Sequence, residues 1–522
     1  MSDTLSRILS SGITLDKVQS ILQDGISLEE IEDSVGRIQA RGESAGEVEE
    51  ENIEVRPADF SDVGNLNKFL ELNEGRLLYT DSRGWLYWNG VCWIADGHWA
   101  TKSAVKMSER MLEEAQIAYR QALHAQADAK AEGDKEAIDK SAEAIRREKA
   151  YFSHAMRTRT DRRIKAVLDL AKHFLAIDPA LLDANPAELN TPAGIINLVT
   201  GELRPSDKTA LCTMMTDCAP GKTGAALWID FLTTITDGDG SLMGFLQQVA
   251  GMSLFGKVYH EGAVFAYGVG RNGKSTLFNT LAAVLGSYAG SIDISVLTTD
   301  RQNRGAALAT LRGKRLVLSS ELEEGKRLSV ATLKQISSTD PITVEEKYLS
   351  PETILPTHTL VVSSNHLPRV GSRDEGTWRR ILAVPFNARI TNCIPNYGAK
   401  LVEEAGPAVL LWAIQGAVNF ARNGYKLQTP DIVEEITEEY RDREDWLSNF
   451  LAECCIIEPE ARAPAGELYK MYREWAEKNG DYVRRGVEFN SAMEGRGFIK
   501  RTPAGRKVWI GLRVNRETTW SA

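Results

Sequence analysis

Residues 263–275 read AVFAYGVGRNGKS, and this stretch decides the fold. The first five residues are an apolar run suited to a buried strand. Gly268-Val-Gly-Arg-Asn-Gly273-Lys274-Ser275 then fits G-x-x-x-x-G-K-[ST], and from Thr276 the apolar residues recur at helical spacing. A strand, a glycine-rich loop and a helix make the setting in which backbone N–H groups turn inward around phosphates. Glycines leave no Cβ in the way, and the start of the helix adds partial positive charge. Lys274 suits the β- and γ-phosphates and the Ser275 hydroxyl suits Mg²⁺. Gly268, Gly270, Arg271, Asn272, Gly273, Lys274, Ser275 and Thr276 are therefore the expected nucleotide-binding residues, with ATP and Mg²⁺ as cofactors. The plain alternative is a glycine-rich turn with a surface lysine.

Hydrolysis needs more than a phosphate cradle: a carboxylate for the metal and a group that orients water. The run KRLVLSSELEE, 314–324, is an apolar strand leading to Glu321, with Glu323 and Glu324 after it. In a parallel sheet this acid emerges at the same edge as the phosphate loop. Glu321 is the expected metal-linked or catalytic acid and Glu323 the second choice. A third strand, TLVVSS, runs into Asn365, whose amide is placed to reach a γ-phosphate; a turn-capping Asn is the alternative. DEGTWRR, 374–380, precedes a last apolar strand, and an arginine there suits a finger reaching a neighbouring subunit's site. Its alternative is a surface arginine paired with Asp374 or Glu375.

The remaining chain frames this core. It has 522 residues, 43% hydrophobic and 26% charged, enough for about three domains and unlike a wholly disordered chain. No membrane-spanning apolar run or secretory leader is evident. Six cysteines show no CxxC and no zinc spacing, which suits reduced, mostly buried thiols in a cytosolic protein. The net charge of −10 is uneven: residues 1–60 carry 14 acids against 5 bases, whereas 461–522 carry 13 bases against 7 acids. The basic end is the expected contact for a phosphate backbone. Residues 1–40 read as short amphipathic helices and 41–60 as an acidic linker. Around 76–100 the Trp- and Tyr-rich pattern predicts a β-meander, its aromatics core rather than a base-stacking surface. Residues 101–175 predict two long helices broken near Gly133, and 225–255 another helical stretch. Residues 428–450 read as a helical connector. Helices near 464–478 and 487–496 and a hairpin across 497–514 have the layout of a winged helix.

Taken in order, the loop GVGRNGKS, the strand ending SSELEEGKRL, the segment ISSTDPITVEEKYL, the strand ending SSNHLP and the run DEGTWRRILAVPF resemble a superfamily 3 helicase. The resemblance is closest to the helicase part of phage, plasmid and poxvirus-type primase–helicases. It spans about 60–520 and is most specific over 262–390. It implies a multidomain α/β fold: an AAA+-like P-loop ATPase core, a mixed α+β N-terminal region and a C-terminal winged helix. The expected divisions are an acidic segment at 1–60, an α+β domain with a helical hairpin at 61–230, the ATPase at 231–427, and the connector with winged helix at 428–522. The resemblance matches Glu321 to the family acid, Asn365 to its sensor, Arg380 (or Arg379) to the trans-acting arginine, and Lys347 to a DNA-tracking lysine in the channel. Arg484, Arg485, Lys500 and Arg501, with Arg506 and Lys507, are expected to grip DNA from the winged helix.

The expected activity is ATP-dependent helicase action on single-stranded and forked DNA, in replication of a phage, prophage or mobile element within a bacterial host's cytosol. The family implies a homo-oligomeric ring, usually a hexamer, moving 3′→5′. The residues before 60 offer no polymerase carboxylates and no zinc site, so any priming is expected from a separate primase or other replication proteins. Two rival functions are a nucleotide-switched DNA-loading ATPase that does not unwind, and a small-molecule kinase.

Overall fold

The computed structural model describes residues 54–298, 305–319, 327–344, 352–370, 374–391, 393–479 and 482–515. Glu321, Glu323 and Lys347 lie outside the described residues, as do the helices expected in 1–40 and most of the acidic linker. The chain forms two compact units. One takes in the described residues up to Asn185 with Asn190–Ile196 and Leu203–Met215; the other takes in Pro186–Leu189, Asn197–Glu202 and the residues from Thr216 on.

In the first unit, α1 (Asp62–Leu72) begins where the Ser61 hydroxyl accepts the Gly64 N–H. Strands β1 (Leu77–Thr80), β2 (Gly84–Trp88) and β3 (Trp93–Ala95) form the expected antiparallel meander. Trp85 and Trp93 are buried, which makes them core. Helices α2 (Gly97–Glu132) and α3 (Lys135–Thr158) meet at Gly133, whose φ of 73° ends α2, while Asp134 caps α3. A further break at Thr160 starts α4 (Asp161–Leu175), so the region holds three helices where two were expected. Arg163 there pairs with Asp62 and Lys165 with Asp161, as on a solvated helix face. Three short strands follow in the chain, β4 (Glu188–Thr191), β5 (Gly194–Asn197) and β6 (Leu203–Arg204), of which Glu188, Leu189 and Asn197 belong to the second unit.

The second unit takes up the chain continuously from Thr216. Helix α5 (Ala225–Ile235) lies wholly within it: Trp228 meets Trp412 edge-on, ring centroids 5.4 Å apart. Asp239 then caps α6 (Gly240–Met252), dividing the single helical stretch expected at 225–255. The central layer contains β7 (Ala263–Tyr267), α7 (Lys274–Leu285), β8 (Ala289–Ile292), β9 (Leu316–Ser319), α8 (Val330–Ile336), the hairpin strands β10 (Ile342–Val344) and β11 (Glu352–Ile354), then β12 (Thr359–Ser364) and β13 (Ile381–Pro385). Five of these strands form a sheet in the order β13-β7-β12-β9-β8, with each pairing parallel. Apolar runs such as LVV in β12 are buried throughout, as a parallel sheet covered on both faces requires.

Helix α9 (Tyr397–Arg422) packs on α6 through Gly251 and Gly416. A Cβ on Gly251 would lie 2.1 Å from the Ala417 nitrogen, and one on Gly416 would lie 2.1 Å from the Gln247 carbonyl oxygen. Among the described residues α9 alone is long and apolar enough to cross a membrane, but 67% of its apolar stretch is buried, which makes it a core helix here. The expected connector is two helices, α10 (Asp431–Arg443) and α11 (Trp446–Cys454), the second capped by Asp445. Helix α10 covers the open edge of the sheet: the Ala383 N–H of β13 donates to Thr437 Oγ1 at 3.1 Å. Beyond it come β14 (Cys455–Pro464), α12 (Ala465–Lys478), α13 (Gly486–Gly495), β15 (Ile499–Arg501) and β16 (Val508–Val514), the strands ordered β14-β16-β15. Phe450, Tyr472, Trp475, Phe489 and Trp509 are buried together at this end.

Candidate nucleotide site and candidate DNA contact

The strand order dictates where a ligand crevice falls. From β7 the chain crosses to β8 at one edge, returns through β9 and β12, then passes β7 to lay β13 on its other side. The reversal lies between β7 and β12, and parallel sheets open a crevice at the carboxyl ends of such a pair. The loop 268–273 leaves β7 at that point and Asn365 follows β12 there.

The loop is held by its own side chains. Asn272 is almost fully buried; its amide donates to the Val269 carbonyl at 3.0 Å and the Phe386 carbonyl at 2.9 Å, while its oxygen faces the Lys274 N–H at 3.4 Å. The Ile390 N–H donates to the Arg271 carbonyl, tying the loop to the chain after β13. Two glycines are conformationally required. Gly268 has φ 155° and a Cβ there would lie 2.3 Å from the Phe386 oxygen; Gly273 has φ 82° and its Cβ would lie 2.3 Å from Ile235 Cγ2. Gly270 is different: a Cβ there would meet nothing within 4 Å, so the loop is open on that side. Arg271 takes φ 65°, a left-handed conformation unusual for a side chain of its size.

Lys274 opens α7 with only 7% of its surface exposed. Its ammonium donates to the Gly268 carbonyl at 3.0 Å and to Asn365 Oδ1 at 2.8 Å. Gly273 stands at the N-cap and has no side chain to cap the helix, so the turn that opens α7 presents its backbone beside the lysine, with the Lys274 N–H on Asn272. Ser275 is exposed at the same turn and Thr276 half-buried. An uncapped helix start beside a buried ammonium fits a polyphosphate. The described residues hold no cluster of three or more His, Cys, Asp or Glu suited to a metal. Of the expected metal ligands, Ser275 is among the described residues; Glu321, the expected carboxylate, follows β9 outside them.

The two arginines stand at the opposite edge of the sheet. The Ala263 N–H at the start of β7 donates to the Arg380 carbonyl at 2.8 Å. A five-residue strand, about 17 Å long, therefore separates them from the phosphate loop, and neither reaches the loop of its own chain. Arg380 was the preferred finger and Arg379 the alternative, and the two differ in their surroundings. The Arg380 side chain is 10% exposed and donates to Glu261 Oε2 at 2.6 Å and the Gly376 carbonyl at 2.7 Å. A guanidinium so engaged is not free to extend. Arg379 is 65% exposed, 3.8 Å from the same carboxylate.

At the C-terminal end the expected DNA contacts separate in the same way. Arg484 is buried, with its guanidinium 4.4 Å from the Trp446 ring centre. Arg485 is exposed at the start of α13, its N–H donating to Glu488. Lys500 is half-buried over the Trp509 ring at 5.1 Å; Arg501, Arg506 and Lys507 are exposed on the hairpin. Residues 499–507 hold four cations and no acid, whereas α13 carries Glu488 and Glu494 and no base. Sequence reading missed the bond from Asn272 to Phe386 and the grip of Glu261 on Arg380, because each spans more than a hundred residues. The pair Glu261-Gly262, an acid just before the β7 run, was the available sign.

Two family descriptions match the chain: D5 N terminal like over residues 67–237, and a family of unknown function, DUF5906, over 266–380. A helicase-named protein of Acanthamoeba polyphaga mimivirus is 26% identical over 339 residues, 58% of this chain and 35% of that protein. A primase-named protein of African swine fever virus is 24% identical over 275 residues, 47% of this chain and 28% of that protein. A helicase-named protein of Frog virus 3 is 25% identical over 277 residues, 49% of this chain and 28% of that protein. The matches thus span about a third or less of these curated relatives. Among solved structures the NrS-1 C terminal region is similar at 16% identity and a TM-score of 0.35, covering 57% of this chain and 78% of that one.

Proposed function

We propose that this chain, similar over part of its length to helicase- and primase-named proteins of large DNA viruses, is an ATP-dependent, ring-forming DNA helicase of replication. The observation that carries this reading is the meeting of Lys274 with Asn365 at the reversal point of the sheet, beside an uncapped helix start. Lys274 and the N–H groups of α7 would hold the phosphates of ATP, and Ser275 a Mg²⁺ ion whose carboxylate partner is Glu321 or Glu323. Asn365, already on the lysine, would orient the group that attacks. ATP supplies the phosphoanhydride bond whose cleavage drives the cycle. Arg379 would complete the site of the adjoining subunit, since its own loop lies a strand length away. A ring of such copies, hexameric as the superfamily resemblance implies, would draw single-stranded DNA past Lys347. The cation-rich hairpin at 499–507 would hold duplex through its phosphates. The C-terminal order of helix, strand, two helices and hairpin supports a winged helix, and the sheet order β13-β7-β12-β9-β8 supports an AAA+-like core.

The test is ATP hydrolysis and forked-duplex unwinding by the purified protein and by Lys274→Ala. Both activities in the parent and neither in the variant support the helicase. Nucleotide-dependent DNA binding without unwinding would favour the loading ATPase, and turnover indifferent to DNA would favour a small-molecule kinase.

A further inference from the structure

We infer that Glu261 is a positioning residue for the intersubunit arginine, and that β7 links the nucleotide loop at one of its ends to that arginine at the other. The inference rests on the proposed helicase reading and goes beyond it by assigning a residue and a route.

Glu261 stands two residues before β7. Its carboxylate accepts from Arg380 at 2.6 Å and from the Thr339 hydroxyl at 3.1 Å, with the Arg379 guanidinium at 3.8 Å. One acid thus gathers two consecutive arginines of unequal freedom, Arg380 at 10% exposure and Arg379 at 65%. Arg380 is the anchor. Its second bond, to the Gly376 carbonyl, closes it back on the helical turn that carries both arginines. With that turn fixed, the exposed Arg379 projects from a rigid base. The backbones here are in close contact. A Cβ on Gly262 would lie 2.6 Å from the Arg380 carbonyl oxygen and 2.5 Å from His260 Nε2, so only glycine lets β7 begin this near the arginine turn.

The other end of β7 is the phosphate loop, and β7 pairs with β13 along its whole length, Ala263 opposite Ile381 through Tyr267 opposite Pro385. Any shift of the loop on filling its site is therefore carried along a paired strand to Glu261 and to the turn bearing Arg379. In a ring this couples each subunit's own nucleotide site to the site it completes next door.

Glu261→Gln keeps the size and the hydrogen-bonding oxygen but removes the charge. The expected result is at least a tenfold loss of kcat with KM for ATP and nucleotide affinity near the parent values. Glu261→Asp should recover part of the loss. Mixed with Lys274→Ala subunits, Glu261→Gln should regain turnover, because its intact loop can be completed by the other variant's intact arginine; a merely structural defect gives no such rescue. Parental kcat in Glu261→Gln while Lys274→Ala is inactive would overturn the inference and leave the helicase reading standing, as would failure of the mixture to regain activity. Full turnover in Lys274→Ala would instead remove the helicase reading itself.

Discussion

The Lys274 ammonium, in the first turn of α7, donates a 2.8 Å hydrogen bond to Asn365 Oδ1 at the end of β12, 91 residues further on. No local rule joins them; the parallel pairing of β7 with β12 does. Asn365→Ala is expected to lower kcat by about a hundredfold to a thousandfold, the range for removing one positioned polar group from a reacting centre, with nucleotide still bound. Steady-state kinetics beside equilibrium nucleotide titration checks this.

Asn272 braces the loop from inside. Removing its amide leaves the Val269 and Phe386 carbonyls without a partner. Asn272→Ala should cost about 1–3 kcal/mol of stability and raise KM for ATP more than it lowers kcat. Chemical denaturation and kinetics on the same sample measure both.

The two arginines should separate cleanly. Arg379→Ala is expected to abolish turnover while leaving nucleotide affinity and thermal midpoint unchanged. Arg380→Ala is expected to lose stability as well, by about 1–2 kcal/mol once the partial exposure of Glu261 is allowed for. Equal thermal midpoints for the two variants would contradict the assignment of Arg380 as anchor.

The hairpin should carry the salt dependence of duplex binding. Replacing Lys500, Arg501, Arg506 and Lys507 with alanine is expected to weaken duplex binding and flatten its log–log salt slope by about 0.9 for each phosphate no longer neutralised. ATP turnover without DNA should stay at the parental level. Binding isotherms at several salt concentrations read the slope.

His358, in the turn before β12, is wholly buried, and burial pushes its imidazole down to about 4 from 6.5, the Ile336 carbonyl offsetting part of that. Its folded value lies below its unfolded one, so the unfolded chain takes up the proton first. The stability it contributes is complete above about pH 6.5 and falls toward pH 4, by about 1.4 kcal/mol per pH unit. Thermal midpoints from pH 7 to 4 should fall more steeply in the parent than in His358→Gln.

The core of this fold was legible because its signals are local. A strand, a loop with GK and an apolar helix announce themselves within twenty residues, and the hairpin at 497–514 and the helix ends at Gly133 and Asp134 do likewise. Side-chain commitments were not legible. Arg380 and Arg484 looked like free cations because Glu261 and Trp446, which occupy them, are distant in sequence. The connector at 428–450 looked uniform because its break depends on Asp445 capping a new helix. Glu321, Glu323 and Lys347 still rest on motif order alone.

The central claim is that one subunit's loop and the next subunit's arginine form a single hydrolytic site. Lys274→Ala and Arg379→Ala are each expected to be inactive in ATP hydrolysis. Mixed in equal amounts in the presence of single-stranded DNA, they should regain partial turnover, since some interfaces then join an intact Lys274 to an intact Arg379. A mixture as inactive as its components, from variants that fold and assemble normally, would contradict the claim.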